Sequence, residues 1–259
     1  MTVPFLSADH LESFILVLVR VSAIVVVIPV LSENSVPARI KAGLAVIISV
    51  VIFPLVVNQI PSTKNYHILE LIILITGEVL IGLTIGFTAR LVFAAIQIAG
   101  DIIGFQMGFA VANVIDPMSA QMVSIITQLK YLIAMLLFIT VDAHHLFFQA
   151  IIQSYQFVAV LNFHFSPNLM QLLFVTSKEM FVIALKIAAP LMAVMIFTNV
   201  ALGVVARTVP QMNIFIVGFP LQISMGLIFI GLTSPLFVRM TQAIFNNLEG
   251  KLISVLRLM

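Results

Sequence analysis

The sequence of 259 residues contains no cysteine, and only 8% of its residues are charged. Without cysteine there are no disulfides, thiolate nucleophiles or cysteine-ligated metals, so rigidity must come from packing. A soluble domain has about a quarter of its residues charged. The formal charge is only +2 and the charged residues are scattered, which argues against a nucleic-acid-binding surface. With 62% hydrophobic residues, the chain is built for lipid or for a very apolar assembly.

Six mainly apolar segments are the expected membrane helices, at about 14–31, 42–57, 69–99, 125–141, 169–205 and 213–238. Arg20 lies inside the first segment and no small-residue cleavage site follows it, so this segment is expected to be retained. The third segment would be roughly 45 Å long, against a hydrocarbon core of about 30 Å. It must tilt, break or extend out of the bilayer. Lysines and arginines divide too evenly between the two sides to predict an orientation.

Several charged residues fall inside these apolar segments. Each would cost on the order of 2.5 to 3.5 kcal/mol at the bilayer centre, so they are expected to face protein, face water or lie outside the membrane. One interpretation is that they cap segment ends or pair in a protein interior, and the other is that they line a transport path. The predicted buried charges are Glu78, Arg90, Lys178, Glu179 and Lys186.

Glycines recur at a four-residue spacing in and after the third segment. Gly82 and Gly86 form a GxxxG pair, and Gly100, Gly104 and Gly108 continue the spacing after a gap. Small residues at this interval let helix backbones approach closely in lipid. The sequence therefore predicts helix packing at Gly82 and Gly86.

The later glycines introduce a segment with flexible backbone and apolar side chains. It predicts either a helix end followed by a packed loop, or a movable plug that seals a passage. The residues assigned to the plug interpretation are Gly104, Phe105, Gln106, Met107, Gly108 and Phe109.

The stretch from Arg207 to Pro220 is a polar, proline-broken passage between two long apolar segments. Pro210 lacks an N–H and disfavours helix at the residue before it, and Gly218 with Pro220 predicts a second break. Gln211 and Asn213 are expected to satisfy carbonyls released at the first break, while Arg207 pairs with an acidic side chain or reaches water. We interpret these six residues as a structural hairpin.

Motifs for catalysis are absent from the sequence, which has no HExxH, no GxSxG and no phosphate-binding glycine loop. Asp142, His144 and His145 are the densest group of potential metal ligands. Adjacent histidines on a helix point to different faces, so this group is interpreted as a segment boundary at the water interface, with no metal. A secondary transporter would predict repeated halves, and no convincing repeat is present.

The run from Ala201 to Pro220 closely resembles the hallmark of the FliR family, membrane components of the flagellar type III export gate. Further matching pieces occur in the expected order along nearly the whole chain: Arg20 with Pro29, Val36 to Gly43, Gly77-Glu78 with Gly82 and Gly86, Gly104 to Phe109, Asp116-Pro117, and Asp142 to His145 before Ser154.

This resemblance implies an all-α fold of hydrophobic helical hairpins with broken and kinked helices, within a hetero-oligomeric gate rather than an upright six-helix bundle. It implies one integral membrane domain over residues 1–259, with a FliP-like N-terminal part and a FliQ-like C-terminal part. A loop over about residues 103–116 would close the gate.

The resemblance further implies a non-enzymatic subunit, without cofactors, in the bacterial inner membrane and the flagellar basal body. Its implied partners are FliP and FliQ, then FlhB, FlhA and the basal-body ring, with unfolded exported proteins, membrane lipid and no nucleic acid. The alternatives are an injectisome subunit or a secondary transporter with Glu78, Arg90, Lys178 and Glu179 as coupling residues.

Overall fold

Helices account for almost all of the structure in a computed structural model of the chain. The structure describes residues 8–32, 36–57, 60, 68–109, 124–160, 163–211 and 213–259, and these contain no strand. The helices are α1 (Ala8–Val27), α2 (Pro29–Ser32), α3 (Ala38–Val56), α4 (Ile68–Gln106), α5 (Ile125–Thr140), α6 (His145–Phe157), α7 (Pro167–Thr208) and α8 (Ile214–Leu258). The predicted all-α class is confirmed.

Each of the six apolar segments is helical over most of its length. The first segment is divided at Ile28 into α1 and α2, because Pro29 disfavours the helical conformation at the residue before it. Four described helices, namely α3, α4, α7 and α8, are long and apolar enough to cross a membrane. The α5–α6 pair, which a four-residue turn joins, would make a fifth crossing if it acts as one span.

Three helices are much longer than a bilayer core is thick. Helices α4, α7 and α8 contain 39, 42 and 45 residues. At 1.5 Å per residue they extend over about 58, 63 and 68 Å, roughly twice the hydrocarbon thickness of about 30 Å. Of the three outcomes expected for the third segment, a break does not occur within α4.

The chain forms two compact units, which we call unit 1 and unit 2. Unit 1 comprises residues 1–91, 142–176 and 246–259, and unit 2 comprises residues 92–141 and 177–245. Helices α4, α7 and α8 each contribute residues to both units.

In unit 1, hydrogen bonds of Ser166 join the start of α7 to the end of α8. The hydroxyl of Ser166 accepts a hydrogen bond from the backbone N–H of Leu169 and donates one to the carbonyl oxygen of Leu258. Ser166 therefore caps the first turn of α7, which Pro167 opens with its preset φ, and ties that turn to the end of α8.

Unit 2 has an almost purely apolar core. Its buried members come from α4, α5, α7 and α8, and they include Ile96, Ile103, Ala134, Leu191 and Met195. Three phenylalanine rings, those of Phe93, Phe138 and Phe245, pack together beside this core with centroids 5.4 to 5.5 Å apart.

Candidate functional site

A buried ion pair lies at the centre of unit 1. The side chains of Arg20 on α1 and Glu78 on α4 are 0% and 1% exposed. Nε and Nη2 of Arg20 donate to the two carboxylate oxygens of Glu78, and the Nη2–Oε1 distance is 3.0 Å. This two-pronged geometry suits a guanidinium, whose fixed fork matches a carboxylate. The pair therefore fixes α1 and α4 in one register.

The remaining donors of Arg20 reach the end of α6. Its Nη1 donates to the carbonyl oxygens of Ser154 and Val158, each at 3.1 Å. The guanidinium also stacks over the ring of Tyr155, 4.2 Å from the centroid. A cation at a helix C-terminus satisfies open carbonyls and offsets the negative end of the helix dipole. One arginine thus joins α1, α4 and α6.

The glycines of α4 form close helix contacts within each unit. In unit 1 a Cβ on Gly82 would lie 2.5 Å from the Cβ of Ala23, and one on Gly86 would overlap Val27, both on α1. In unit 2 a Cβ on Gly100 would lie 2.6 Å from the Cα of Thr127. No side chain fits at these positions without a backbone shift, as expected where small residues let helices approach.

The predicted plug segment begins as a helix end. Helix α4 continues through Gln106, and Gly108 adopts a left-handed conformation with φ of 86°. The N–H of Phe109 donates to the carbonyl of Gly104, and the N–H of Gly108 donates to that of Phe105. These crossed bonds form a Schellman motif, which needs glycine at the left-handed position.

The side chains of this cap point in different directions. Met107 is fully buried in the core of unit 2, where its thioether fills the space left by Gly226, and Phe109 packs against the same core. Phe105 is 70% exposed. The rest of the segment predicted to close a passage, residues 110–116, lies outside the described residues. Met107 is therefore an anchor, whereas Phe105 is an accessible apolar group among the described residues of this segment.

The stretch that begins at Arg207 forms a tight connection between α7 and α8. Helix α7 ends at Thr208, whose hydroxyl donates to the carbonyls of Val204 and Val205, and the N–H of Val209 also donates to Val205. Arg207, Pro210, Gln211 and Asn213 are exposed in this connection. The predicted contribution of the Gln211 and Asn213 side chains to the released carbonyls stays a prediction.

The two helices of this connection run antiparallel. Nε2 of Gln222 donates to Oδ1 of Asn199 at 2.7 Å, and a Cβ on Gly218 would lie 3.7 Å from a methyl group of Leu202. The second break predicted at Gly218 and Pro220 is wrong, because α8 continues through both. Neighbouring groups can satisfy the carbonyl that a proline frees in a membrane helix.

Of the five predicted buried charges, only Glu78 is buried. Arg90, Lys178, Glu179 and Lys186 are exposed on this chain, on helix faces that its described part does not cover. That they face protein, face water or lie outside the membrane stays a prediction.

A lysine that the sequence analysis did not single out is buried in unit 2. Lys130 on α5 is 4% exposed, and its ammonium lies 4.1 Å from the ring centroid of Phe237 on α8. This geometry is a cation–π interaction, in which the negative face of the ring attracts the cation. The ammonium group of Lys130 is therefore held against the ring of Phe237 in the core of unit 2.

The group of Asp142, His144 and His145 differs from its predicted geometry. These residues lie in the turn before α6 and at its first position, and Asp142 has φ of 57°. The two imidazole rings lie side by side, with centroids 4.2 Å apart and planes tilted by 39° to one another. The expectation that adjacent histidines diverge is wrong here, because it assumed that both residues lie within a helix.

Residues 11–248 match the model of the family described as bacterial export proteins, family 1. The chain belongs to this family. It is 38% identical over 226 residues to the flagellar biosynthetic protein FliR of Bacillus subtilis (strain 168), which covers 85% of each chain. It is 32% identical over 240 residues to FliR of Escherichia coli (strain K12), which covers 92% of this chain and 90% of the relative. FliR of Aquifex aeolicus (strain VF5) is 29% identical over 233 residues.

These relatives confirm the FliR resemblance that rests on the Ala201 to Pro220 run and on the matching pieces along the chain. The chain is thus a FliR-family protein with helices suited to a membrane. Its match begins before Arg20 and ends after Phe245, so it includes both the ion pair of unit 1 and the aromatic cluster of unit 2.

Two polar contacts of this FliR-family chain are not predicted by its sequence. Arg20 is visible in the sequence as a charge in an apolar segment, but its contacts with Glu78 and the end of α6 are not. Asn199 and Gln222 lie near the Arg207 to Pro220 run without belonging to it. Polar residues in apolar helices generally pair in the protein interior or line a cavity. The presence of these side chains in apolar helices is therefore the sequence signal that indicates both contacts.

Proposed function

We propose that this FliR-family chain is a non-enzymatic subunit of the flagellar type III export gate in the bacterial inner membrane. It would help to form and close the channel through which unfolded flagellar proteins are exported. Support comes from the match over residues 11–248 and from relatives named as flagellar biosynthetic proteins. The long apolar helices are suited to a membrane assembly.

The proposed partners are FliP and FliQ in the core of the gate, with FlhB, FlhA and the basal-body ring around it. The exposed faces of the chain support a place among other subunits. On α7, Lys178 and Lys186 are exposed beside the large apolar side chains of Phe174 and Phe181. Such charges are costly against lipid tails, so this face is suited to protein or water rather than to the bilayer core.

The observation that carries the closing role is the capped end of α4. The Schellman motif and the buried Met107 hold the chain firmly up to Gly108, while Phe105 stays exposed. A segment fixed at one end and apolar at its surface can close a passage without specific polar contacts. In this mechanism the loop over about residues 103–116 seals the resting channel against ions and is displaced when a substrate engages. The energy for export is supplied elsewhere.

The test compares ion leakage through membranes that contain the assembled gate. Replacing residues 110–116 with glycine and serine keeps the α4 cap and the Met107 anchor, whereas a deletion from Phe105 would remove both. We expect this replacement, and to a smaller extent Phe105→Ala, to raise conductance. Phe197→Ala, which removes a similarly exposed phenylalanine from α7, is the matched control.

An assembled gate that stays as ion-tight as wild type in both variants would contradict the closing role. The subunit role is tested separately by purification in mild detergent. We expect the chain to co-purify with unlike membrane proteins in fixed ratio. Purification as a monomer or a homo-oligomer only would contradict membership of a hetero-oligomeric gate.

A further inference from the structure

The turn between α5 and α6 brings three potential metal ligands together. One ligand atom each from Asp142, His144 and His145 lies within 4.8 Å of the other two. The two imidazole rings lie close together, with centroids 4.2 Å apart, rather than on opposite sides of a helix. All three residues belong to unit 1 and lie within the four consecutive positions 142–145. The turn therefore converts a local sequence motif into a convergent set of ligands.

Interactions within the described part of the protein do not account for this cluster. The Nδ1 atom of His144 is buried and has no hydrogen-bond partner among the described residues. The Nδ1 atom of His145 lies 4.0 Å from Oδ1 of Asp142, which is too far for a hydrogen bond. A cation held between these side chains would give the His144 ring a partner and would neutralise the carboxylate.

The distances are close to what a tetrahedral ion requires. Zinc binds imidazole nitrogen and carboxylate oxygen at about 2.0 to 2.2 Å, so two such ligand atoms lie about 3.4 Å apart. The side chains of Asp142 and His145 are 72% and 62% exposed. Rotation of these two side chains can bring their ligand atoms about 1 Å closer together without disturbing the core, while the half-buried His144 stays in place.

We propose that Asp142, His144 and His145 bind one divalent transition-metal ion, with zinc as the best-fitting metal and water in the remaining position. Two imidazoles and one carboxylate match the ligand preference of zinc, whereas magnesium and calcium prefer oxygen ligands alone. The bound ion would brace the turn and the first residue of α6. This site does not depend on the proposed export role.

The test is calorimetric titration of zinc chloride into the purified full-length chain in detergent, freed of metal by a chelator and of any histidine tag. We expect one ion per chain. His145→Gln and Asp142→Asn should each weaken zinc binding at least tenfold, because each removes one of only three protein ligands. Asn accepts the positive φ at position 142 readily, so Asp142→Asn tests the carboxylate without straining the turn.

His164→Gln is the matched control, because His164 is also exposed in unit 1 but lies outside the cluster. Its zinc affinity should equal that of wild type. Copper(II) as a spectroscopic probe gives a second readout, in which nitrogen hyperfine splitting should change from two imidazoles to one in His145→Gln. The proposal would be overturned if wild type showed no saturable zinc binding. It would also be overturned if His145→Gln and Asp142→Asn both bound zinc as tightly as His164→Gln.

Discussion

The two units of this chain stabilise their helices by different chemistry. Unit 1 has a buried ion pair at its centre, in which Arg20 contacts Glu78 and two carbonyls of α6. Unit 2 has an apolar core with a cluster of phenylalanine rings, and its buried cation Lys130 meets a ring rather than a carboxylate.

This difference shows two ways to give apolar helices a fixed arrangement. Apolar contacts are non-directional, and lipid tails compete with them. Apolar surfaces alone therefore specify the register between two membrane helices only weakly. A bidentate ion pair adds direction, because only one register satisfies all its donors. Interlocking rings and glycine contacts add shape instead. The two units should therefore respond differently to substitution.

The largest expected effect is the loss of the carboxylate in unit 1. Glu78→Ala leaves Arg20 buried without its partner, and breaking a buried pair costs about 3 to 5 kcal/mol. We expect a fall of that size in the free energy of unfolding, measured by dodecyl sulfate titration of the purified chain and followed by circular dichroism. Glu249→Ala, at an exposed position of α8 within the same unit, should change stability by less than about 0.5 kcal/mol.

Replacing both partners sharpens this result. A double variant with Arg20→Met and Glu78→Met removes the unpaired charge and fills the space with apolar atoms. Its stability should recover in part, since apolar replacement of a buried pair is often neutral or better, while the carbonyl oxygens of Ser154 and Val158 lose their donor. A double variant as unstable as Glu78→Ala would show that the unpaired charge is not the cause.

In unit 2 the corresponding change is Phe138→Ala. Phe138 is fully buried and its ring packs against those of Phe93 and Phe245. We expect a loss of about 3 kcal/mol in the same titration, from lost burial and the cavity left behind. Phe197→Ala, at an exposed position on α7, is the control and should cost far less. Equal losses would mean that the ring cluster is not part of a packed core.

A moderate effect is expected where helices touch through glycine. Gly82→Ala would place a methyl group against Ala23 and the backbone nitrogen of Ile24, at a cost of about 1 to 3 kcal/mol. Gly226→Ala in unit 2 should cost less, because the neighbouring Met107 side chain can move.

The glycine control lies on α8. Among the described residues, no atom outside the helix's own backbone lies within 4 Å of a Cβ at Gly231, so Gly231→Ala should be neutral or stabilise by up to about 1 kcal/mol through helix propensity. Thermal unfolding in detergent would rank the three variants. A ranking in which Gly82→Ala is no worse than Gly231→Ala would contradict the close contact of α1 and α4.

The smallest expected effect is at the α7–α8 hairpin. Gln222→Leu removes the amide that donates to Asn199, at a cost of about 1 kcal/mol or less because the pair is exposed. Gln211→Leu, at the exposed tip, should have no measurable effect on unfolding of the isolated chain. If Gln211→Leu lowered the free energy of unfolding more than Gln222→Leu does, the tip would have the structural role that the sequence predicts for it.

Local sequence signals predicted the helices better than the contacts between them. Pro210 and the polar residues around it predicted the break between α7 and α8, and Pro29 coincides with the division of α1 from α2. Pro220 predicted a break that does not occur, because the strong helical tendency of the long apolar segment on both sides outweighs one missing donor.

The candidate sites show the same limit. The spacing of Gly104 and Gly108 indicated a helix end, but only the fold shows that Met107 is buried and Phe105 is exposed. Adjacent histidines at 144 and 145 were expected to diverge. The turn in which Asp142 has a positive φ instead brings the two rings together. Aspartate accepts this conformation more readily than most residues, but its presence does not by itself predict a turn of this kind.

The sequence by itself determined the all-α class, the apolar helices and membership of the FliR family. These follow from composition, hydrophobic runs and a contiguous motif, all of which are local properties. Only the tertiary structure decided which charges are buried, because burial depends on what packs from elsewhere in the chain. Arg20 meets Glu78 across 58 positions and the carbonyl of Ser154 across 134, and no local pattern specifies those meetings.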